Sequence, residues 1–505
     1  MQSKFHRFLA VSKKLVWTDI LLFLILAIAS YTSLFYRLGD APLTLWDEAR
    51  YANNAIDFLE KPHLFQVTHL GIPDEFNTKP ALVLWFQAIC MRIFGISELA
   101  VRLPSALFGL FTMCLVYIFA WRFFHNKLAA WLSVAILLCS PGFMSVHNVR
   151  TGDLDAALVF WLFLSLTITV DLLVSQPKKT RRHYLLLSFS VIGGFLSKGI
   201  AGFFFVPFLL LIPVIFGRLD VYKDKNLYLS GLITLSFCGV YYWLREYYMP
   251  GYLHLVVKYE WNRYTEVVMS WQKHPFFWYV RQLATQRFYP FIYLLPLSVF
   301  GLFTFKGTEK LAFSSLLLTT LGYFLLISYP DVKLLWYDAP LFPMLALLLG
   351  LCVGKWGCWL FDGLKIPLRS VWLSLILVAL LIQPYRLTQA LMQAEDELVY
   401  DLLAEGAYLR EIRQILPEEK SIQIFKNEAH PAHYDQLMFY IRRYNREEDC
   451  RFKLVQEPAF QPNDRVLISK PETLESVAKE YSFTELHRGK HGRLLRIDSE
   501  LATIP

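Results

Sequence analysis

Apolar stretches close to bilayer length recur along this chain from Thr18 to about Gln383. That repetition constrains the fold more than any other feature. A bilayer offers the backbone no water to bond, so only helices and closed barrels can cross it. A helix needs about 20 apolar residues to span the hydrocarbon core. The composition agrees: 55% of the 505 residues are hydrophobic, and Phe, Tyr and Trp make up 16%, which suits aromatic belts at the two interfaces. The expected class is a polytopic α-helical membrane protein. The first run is longer than the apolar part of a cleaved signal peptide and is followed by many others. The net charge of +8 could point to nucleic acid. Lys and Arg gather instead in short loops between apolar runs, as in cytoplasmic loops, and no nucleic acid partner is expected. Of the seven Cys residues only Cys450 lies in the polar tail, and their spacing gives neither a disulfide framework nor a zinc site.

The basic loops set the topology. "MQSKFHRFLAVSKK" places the N-terminus in the cytoplasm, and a first span from about Leu15 to Tyr36 leads out. Basic segments at 121–127, 175–183, 217–226, 305–310 and 354–369 return to the cytoplasm. One crossing at 99–120 satisfies the count between Tyr36 and Trp121, so Ala81–Phe94 is read as a helix lying at the interface. Paired spans follow at 128–146 and 154–174, 184–197 and 200–216, 227–248 and 288–304, 311–329 and 335–353. A last span at 370–388 brings the total to about eleven. This predicts a membrane domain over 1–393, with outer loops at about 37–98 and 249–287, and a tail over 394–505. The tail mixes β-like runs ("SIQIF", "RFKLV", "DRVLIS") with helix-like runs ("HYDQLMFYIRRY", "PETLESVAKEY") and reads as a small soluble α/β domain outside the cytoplasm.

On this map the polar residues that are costly beside apolar segments share one face. Asp47, Glu48, Arg50 and Tyr51 lie in "WDEARYA", and Glu75 and Lys79 follow in the same loop. Asp153 and Asp155 open a span, and Lys198 closes one. Glu260, Arg263 and His274 lie in the longest outer loop, and Lys333 and Tyr337 in "YPDVKLLWYDAPLFP". Any one of these can be an ordinary loop charge, a helix N-terminal acid or an interfacial Lys. The shared face favours a site. A carboxylate can take the proton of an attacking hydroxyl, and Lys and Arg can hold a phosphate and offset its charge as it departs. Together they suggest transfer to an acceptor with a lipid phosphate leaving. The alternative, a membrane transporter or lipid flippase, calls for charges in mid-span and broken-helix repeats. A receptor calls for a recognition motif in the tail, and none stands out.

The ordered series "WDEARYA", "GIPDEFNTKPALVLWF", "FGISELAVRLPSAL", "LDAALVFW", "FLSKGIAG", "HPFFWY" and "KLLWYDAPLFP" resembles the lipid-phosphate-sugar-dependent glycosyltransferases. These include protein O-mannosyltransferases and bacterial enzymes that place aminoarabinose on lipid A. The likeness covers most of the membrane region, to about residue 353. It implies a C-type glycosyltransferase fold with its site in a cavity at the outer face. It implies inverting transfer of one sugar from a polyprenyl-phosphate donor, such as undecaprenyl phosphate, to a lipid, glycan or protein acceptor. By position Asp47 matches the first-loop catalytic aspartate, Asp155 matches the second acid better than Asp153, and Lys79 matches the Lys of the Lys-Pro motif. Asp47 is the preferred general base and Glu48 the runner-up. Arg263, Lys333, Tyr337 and Lys198 are further candidates for the donor phosphate, and Tyr51, Glu260 and His274 complete the set. Glu260 is expected to pair with Arg263. The chain departs from the family pattern at Thr78, where many members carry Glu, and at Ala81, which replaces a second Pro. In some relatives that Glu helps hold a divalent metal, so neither metal nor other cofactor is expected here. Glu75, Glu48 and His274 are the ligands to suspect if one were required. The expected setting is a bacterial inner membrane, with the site and tail facing the periplasm.

Overall fold

The computed structural model describes residues 17–44, 46–145, 147–174, 181–262, 272–361, 404–426, 434–490 and 492–501, together with Ile382 and Arg386. The chain is mostly helical. Helices α1 (Trp17–Leu34), α2 (Asp47–Glu60), α3 (Leu82–Phe94), α4 (Glu98–Phe124) and α5 (Lys127–Leu138) come first. Then follow α6 (Asp155–Val174), α7 (Arg181–Lys198), α8 (Val206–Ile215), α9 (Lys225–Tyr248), α10 (Gly307–Ser328) and α11 (Leu341–Phe361).

Among the described residues, five helices are long and apolar enough to cross a membrane: α4, α6, α7 with its continuation to Phe203, α9 and α10. A sixth is added if Trp278–Arg287 and Phe291–Thr304, bent by 117°, form one broken span. Shorter apolar helices stand at Phe23–Leu34, Leu82–Phe94, Lys127–Leu138, Val206–Ile215 and Leu341–Gly357. The described residues therefore do not reproduce the expected count of about eleven, and the expected span 370–388 lies outside them apart from Ile382 and Arg386. Proline explains part of the shortening. Pro296 sits inside Phe291–Phe300, which winds as a 3-10 helix, because proline lacks the N–H and its ring crowds the preceding turn. The expected span 128–146 stops at Leu138, just before Ser140–Pro141.

Local signals fix the ends that matter. Ser97 caps α4 by accepting from the Ala100 N–H at 3.3 Å, and Asn126 caps α5 by accepting from the Ala129 N–H at 3.1 Å. Helix α6 is the central helix of the bundle, packed against α4 and α7. Helix α11 lies along α5, where a Cβ on Gly350 would stand 2.2 Å from Ser133 Oγ. At 13 residues α3 is about 20 Å long and does not cross a bilayer, in keeping with an interfacial helix. Between α2 and α3 a two-stranded hairpin, β1 (Thr68–His69) with β2 (Ile72–Pro73), turns through Leu70 and Gly71, both at positive φ.

The tail holds a five-stranded sheet in the order β4-β3-β5-β7-β6. Strands β3 (Gln423–Phe425), β4 (Lys453–Val455) and β5 (Arg465–Ile468) are parallel, and β6 (Tyr481–Arg488) and β7 (Arg493–Glu500) add an antiparallel hairpin. Helices α12 (Ala404–Ile415), α13 (Asp435–Glu447) and α14 (Pro471–Glu480) cover it. Helix α13 docks on α2 and the start of α4. Ala52, Ile56, Ala88 and Val101 share one apolar core with Leu437, Tyr440 and Tyr444. The Gln436 amide donates to the Leu43 carbonyl at 2.8 Å, and Arg442 meets Asp57 at 2.6 Å. The tail therefore covers the same face of the bundle as the 37–98 loop. The expected boundary at 393/394 lies outside the described residues.

Candidate active site

Asp47 is the first residue of α2, where unsatisfied N–H groups favour a negative charge. Trp46 before it holds φ 68°, a left-handed conformation that a bulky residue adopts only under constraint. The segment ahead of α6 folds beside it, and His147 has a similar left-handed φ of 66°. Strained backbone of this kind concentrates at functional sites. His147 Nδ1 lies 3.1 Å from Asp153 Oδ1, and the Thr151 hydroxyl donates to Asp153 Oδ2 at 2.5 Å. The His147 ring stacks on Trp336 with centroids 3.9 Å apart. Ligating atoms of Asp47, His147 and Asp153 all lie within 4.8 Å of one another. Burial opposes charge on His147, but the Asp153 carboxylate, then Asp47 and Asp155, push its pKa up to about 9. Burial alone would raise Asp153, yet His147, with help from Thr151 and Lys198, holds it below the usual carboxylate range. Near neutral pH this corner is thus an imidazolium set between acids.

Asp155 opens α6 and receives Lys198 Nζ on both oxygens, at 2.5 and 2.6 Å. The Lys198 ammonium also stands 5.9 Å from the Tyr337 ring centroid. The structure therefore brings three expected residues, Asp155, Lys198 and Tyr337, into one group, with the Lys198 charge directed to Asp155.

Lys79 forms an ion pair with Glu260, and the Thr78 hydroxyl donates to the same carboxylate at 2.7 Å. The Tyr252 hydroxyl donates to the Thr78 carbonyl at 2.7 Å, and Arg245 Nη1 to the Lys79 carbonyl at 3.2 Å. The expected partner of Glu260, Arg263, lies outside the described residues; the partners in the structure are Thr78 and Lys79. A carboxylate 182 positions further along the chain thus meets the Thr78–Lys79 turn. Lys333 is almost fully buried and donates to the carbonyls of His274, at 3.0 Å, and Pro330. The His274 ring lies flat on Trp278 at 4.2 Å. Tyr51 is packed in the main apolar core.

Glu48 is fully engaged by the scaffold. It accepts from Arg102 Nε at 2.7 Å and Nη2 at 3.1 Å, from the Thr44 N–H at 2.7 Å and hydroxyl at 2.9 Å, and from the Gly152 N–H at 2.8 Å. It ties α2 to α4 and to the segment that carries His147 and Asp153. A second buried carboxylate, Asp74, takes Arg50 on both oxygens, at 2.6 and 3.1 Å. Asp74 also accepts the N–H groups of Phe76 and Asn77, both at 3.0 Å, and so shapes the turn leading to Lys79. Arg50 Nη1 lies 3.6 Å from Asp435 of the tail, which in turn meets His69 at 2.8 Å. Sequence reasoning misses His147, Arg102, Asp74 and Asp435. The nearest signals are the Arg in "AVRLPSAL", the Asp in "GIPDEF" and a His six residues before Asp153.

Among the described residues, the one group of three metal-ligating side chains this close together is Asp47, His147 and Asp153. Glu75, Glu48 and His274 are not gathered: Glu48 belongs to Arg102 and His274 to Trp278.

Residues 78–243 match the family described as dolichyl-phosphate-mannose-protein mannosyltransferase. The undecaprenyl phosphate-alpha-4-amino-4-deoxy-L-arabinose arabinosyl transferase of Aeromonas salmonicida is 28% identical, over 64% of this chain and 58% of its own. A putative mannosyltransferase of Bacillus subtilis, YkcB, is 31% identical over 31% of this chain and 21% of its own. The matched regions span less than two thirds of the length of these curated relatives. Among solved structures, ArnT from Cupriavidus metallidurans bound to undecaprenyl phosphate aligns with TM-score 0.67 at 16% identity, over 95% of this chain and 98% of that one. The Archaeoglobus fulgidus oligosaccharyltransferase aligns with TM-score 0.55 at 12% identity, over 87% and 64%. At these identities the likeness is one of fold.

Proposed function

We propose a mechanism for this member of the C-type glycosyltransferase superfamily: transfer of a single sugar, with inversion, from a polyprenyl-phosphate donor to a lipid, glycan or protein acceptor at the outer membrane face. The observation that carries it is that one segment, 37–98, holds both Asp47, beside His147 and Asp153, and the Thr78–Lys79 turn with its Glu260 partner. The acceptor hydroxyl attacks the anomeric carbon while Asp47 takes its proton. The bond from that carbon to the phosphate oxygen breaks, and the polyprenyl phosphate departs with the electron pair. Lys79 exchanges Glu260 for the departing phosphate and offsets its growing charge. Asp155, held by Lys198, orients the acceptor. Support for the donor comes from the relatives: one is named for undecaprenyl phosphate, and the fold neighbour was solved with that lipid bound. The transporter reading is weakened because the charged pairs of the site stand at helix ends and in loops, whereas transport sites gather near the middle of the membrane. The distribution of basic loops supports a reading in which this face looks into the periplasm of a bacterial inner membrane.

The test is donor binding. Lys79→Ala should weaken binding of polyprenyl phosphate by about ten- to a hundredfold, the value of one charge-assisted contact. Titration of the purified protein with the lipid would show it. Unchanged affinity would remove Lys79 from the donor site.

The reaction is further proposed to run without a metal. A divalent ion at Asp47, His147 and Asp153 would have to displace the proton held near neutral pH by His147. If an ion were bound, those three side chains would hold it, and it would supply charge stabilisation to the acids there. Sugar transfer should therefore survive exhaustive chelation at pH 7. Loss of activity in chelator, restored by a divalent ion and abolished by His147→Ala, would overturn this and give the three residues to a metal.

A further inference from the structure

The tail does not seal completely against the membrane domain. A crevice of about 370 Å³ remains where α12 and α13 meet Gly39, just beyond α1, and Ser97–Leu99 at the start of α4. Its walls carry the guanidinium groups of Arg410, Arg413 and Arg443 against the carboxylates of Glu98 and Glu448. Arg413 and Glu448 pair with each other. Arg410 and Arg443 share the single carboxylate of Glu98, at 3.3 and 2.8 Å. That carboxylate also accepts the Tyr440 hydroxyl at 2.9 Å. One negative charge thus faces two positive ones, and Arg443 keeps a buried Nε–H that no acceptor among the described residues reaches. Counted over the lining side chains the surplus is one positive charge together with an unused donor, while the Glu447 carboxylate, bound to the Ile96 N–H, stands close to Arg443 from outside the lining.

The position of the crevice narrows the ligand. Glu98 is the first residue of an apolar helix long enough to span the bilayer, and α1 ends at Leu34 on the same side. Leu99, beside Glu98, is 39% exposed, as a side chain meeting lipid would be. The opening therefore lies level with lipid head groups. We propose that this crevice binds the phosphate of an anionic membrane lipid, with Arg443 as its ligand and the Arg410 charge, tied to Glu98 and to the carbonyls of Gly39 and Asp40, beside it. A guanidinium presents a planar fork that matches two phosphate oxygens, and basic pockets at the membrane surface collect anionic head groups. The site shares no residue with the Thr78–Lys79 turn and so is separate from the donor phosphate. It bridges the tail and the membrane domain, so an occupying lipid would brace the two.

Full-length protein reconstituted in nanodiscs provides the test. Wild type extracted from discs containing phosphatidylglycerol should retain that lipid in native mass spectrometry, and should not retain phosphatidylcholine from neutral discs. Arg443→Gln should reduce retention by about tenfold or more, the value of a charge-assisted contact. Arg443 also holds Glu98, so its loss could disturb the fold. Gln414→Glu is the second variant: Gln414 is an exposed residue of the crevice wall. It adds a negative charge, removes none of the arginine ion pairs, and should reduce retention similarly. Equal retention of both lipids by the wild type, or full retention by both variants, overturns the proposal. Displacement of the lipid by millimolar inorganic phosphate would make the free ion the ligand and overturn the lipid assignment. Resistance to it supports the lipid.

Discussion

Replacing Asp47 by Asn should lower the rate of sugar transfer by on the order of 10²–10⁴ while leaving donor affinity near that of the parent. The amide keeps the size of the side chain and can keep its place at the head of α2. It cannot take a proton from the acceptor. The ion pair of Lys79 with Glu260 does not involve Asp47, so the phosphate side of the site is left intact. Single-turnover measurements with saturating donor separate the two quantities. A rate near wild type would move the base elsewhere, with Asp153 the nearest other carboxylate in the cluster.

A different kind of loss is expected at the neighbouring residue. Glu48→Gln should destabilise the protein by about 3–5 kcal/mol, because it leaves Arg102 as an uncompensated buried charge. Both side chains are at most 2% exposed, and the Glu48 carboxylate is met by three separate segments. The amide oxygen can satisfy some of these donors, but its NH₂ group would be turned towards others. The readout is the melting temperature in detergent, together with the yield of folded protein. Glu48→Gln combined with Arg102→Met should recover part of the loss, since the stranded charge is then gone. A Glu48→Gln protein that melts like the parent and yet fails to transfer sugar would give Glu48 a chemical role.

The contrast between Asp47 and Glu48 shows what can be read from the sequence. The apolar runs reveal the helices, and the order of the polar motifs reveals a shared face. Which acid of "DE" meets His147 and Asp153 depends on the α2 register against Arg102, and no spacing along the chain records that. His147 escapes notice for a similar reason. Its role depends on Asp47, a hundred residues away in sequence, and on Trp336 beneath its ring. The sequence offers no carboxylate at Thr78, and only the folded chain shows Glu260 reaching its hydroxyl. In the tail, the short parallel strands and two helices are legible from their patterns. The β6–β7 hairpin is not, because its charged outward face hides the alternation.

Arg50, Asp74 and Asp435 join three parts of the molecule that are far apart in sequence. Asn53, on α2 beyond Asp47, donates its amide to the Asp435 carbonyl at 2.7 Å, across 382 positions of sequence. The helix that presents Asp47 therefore takes part of its alignment from the tail. A chimaera that exchanges the tail for that of a relative would have to bring across the matching residues of α2 and of the 68–73 hairpin, and Asp74 after it. Without them the graft would fold as two sound halves, with the active site out of true between them.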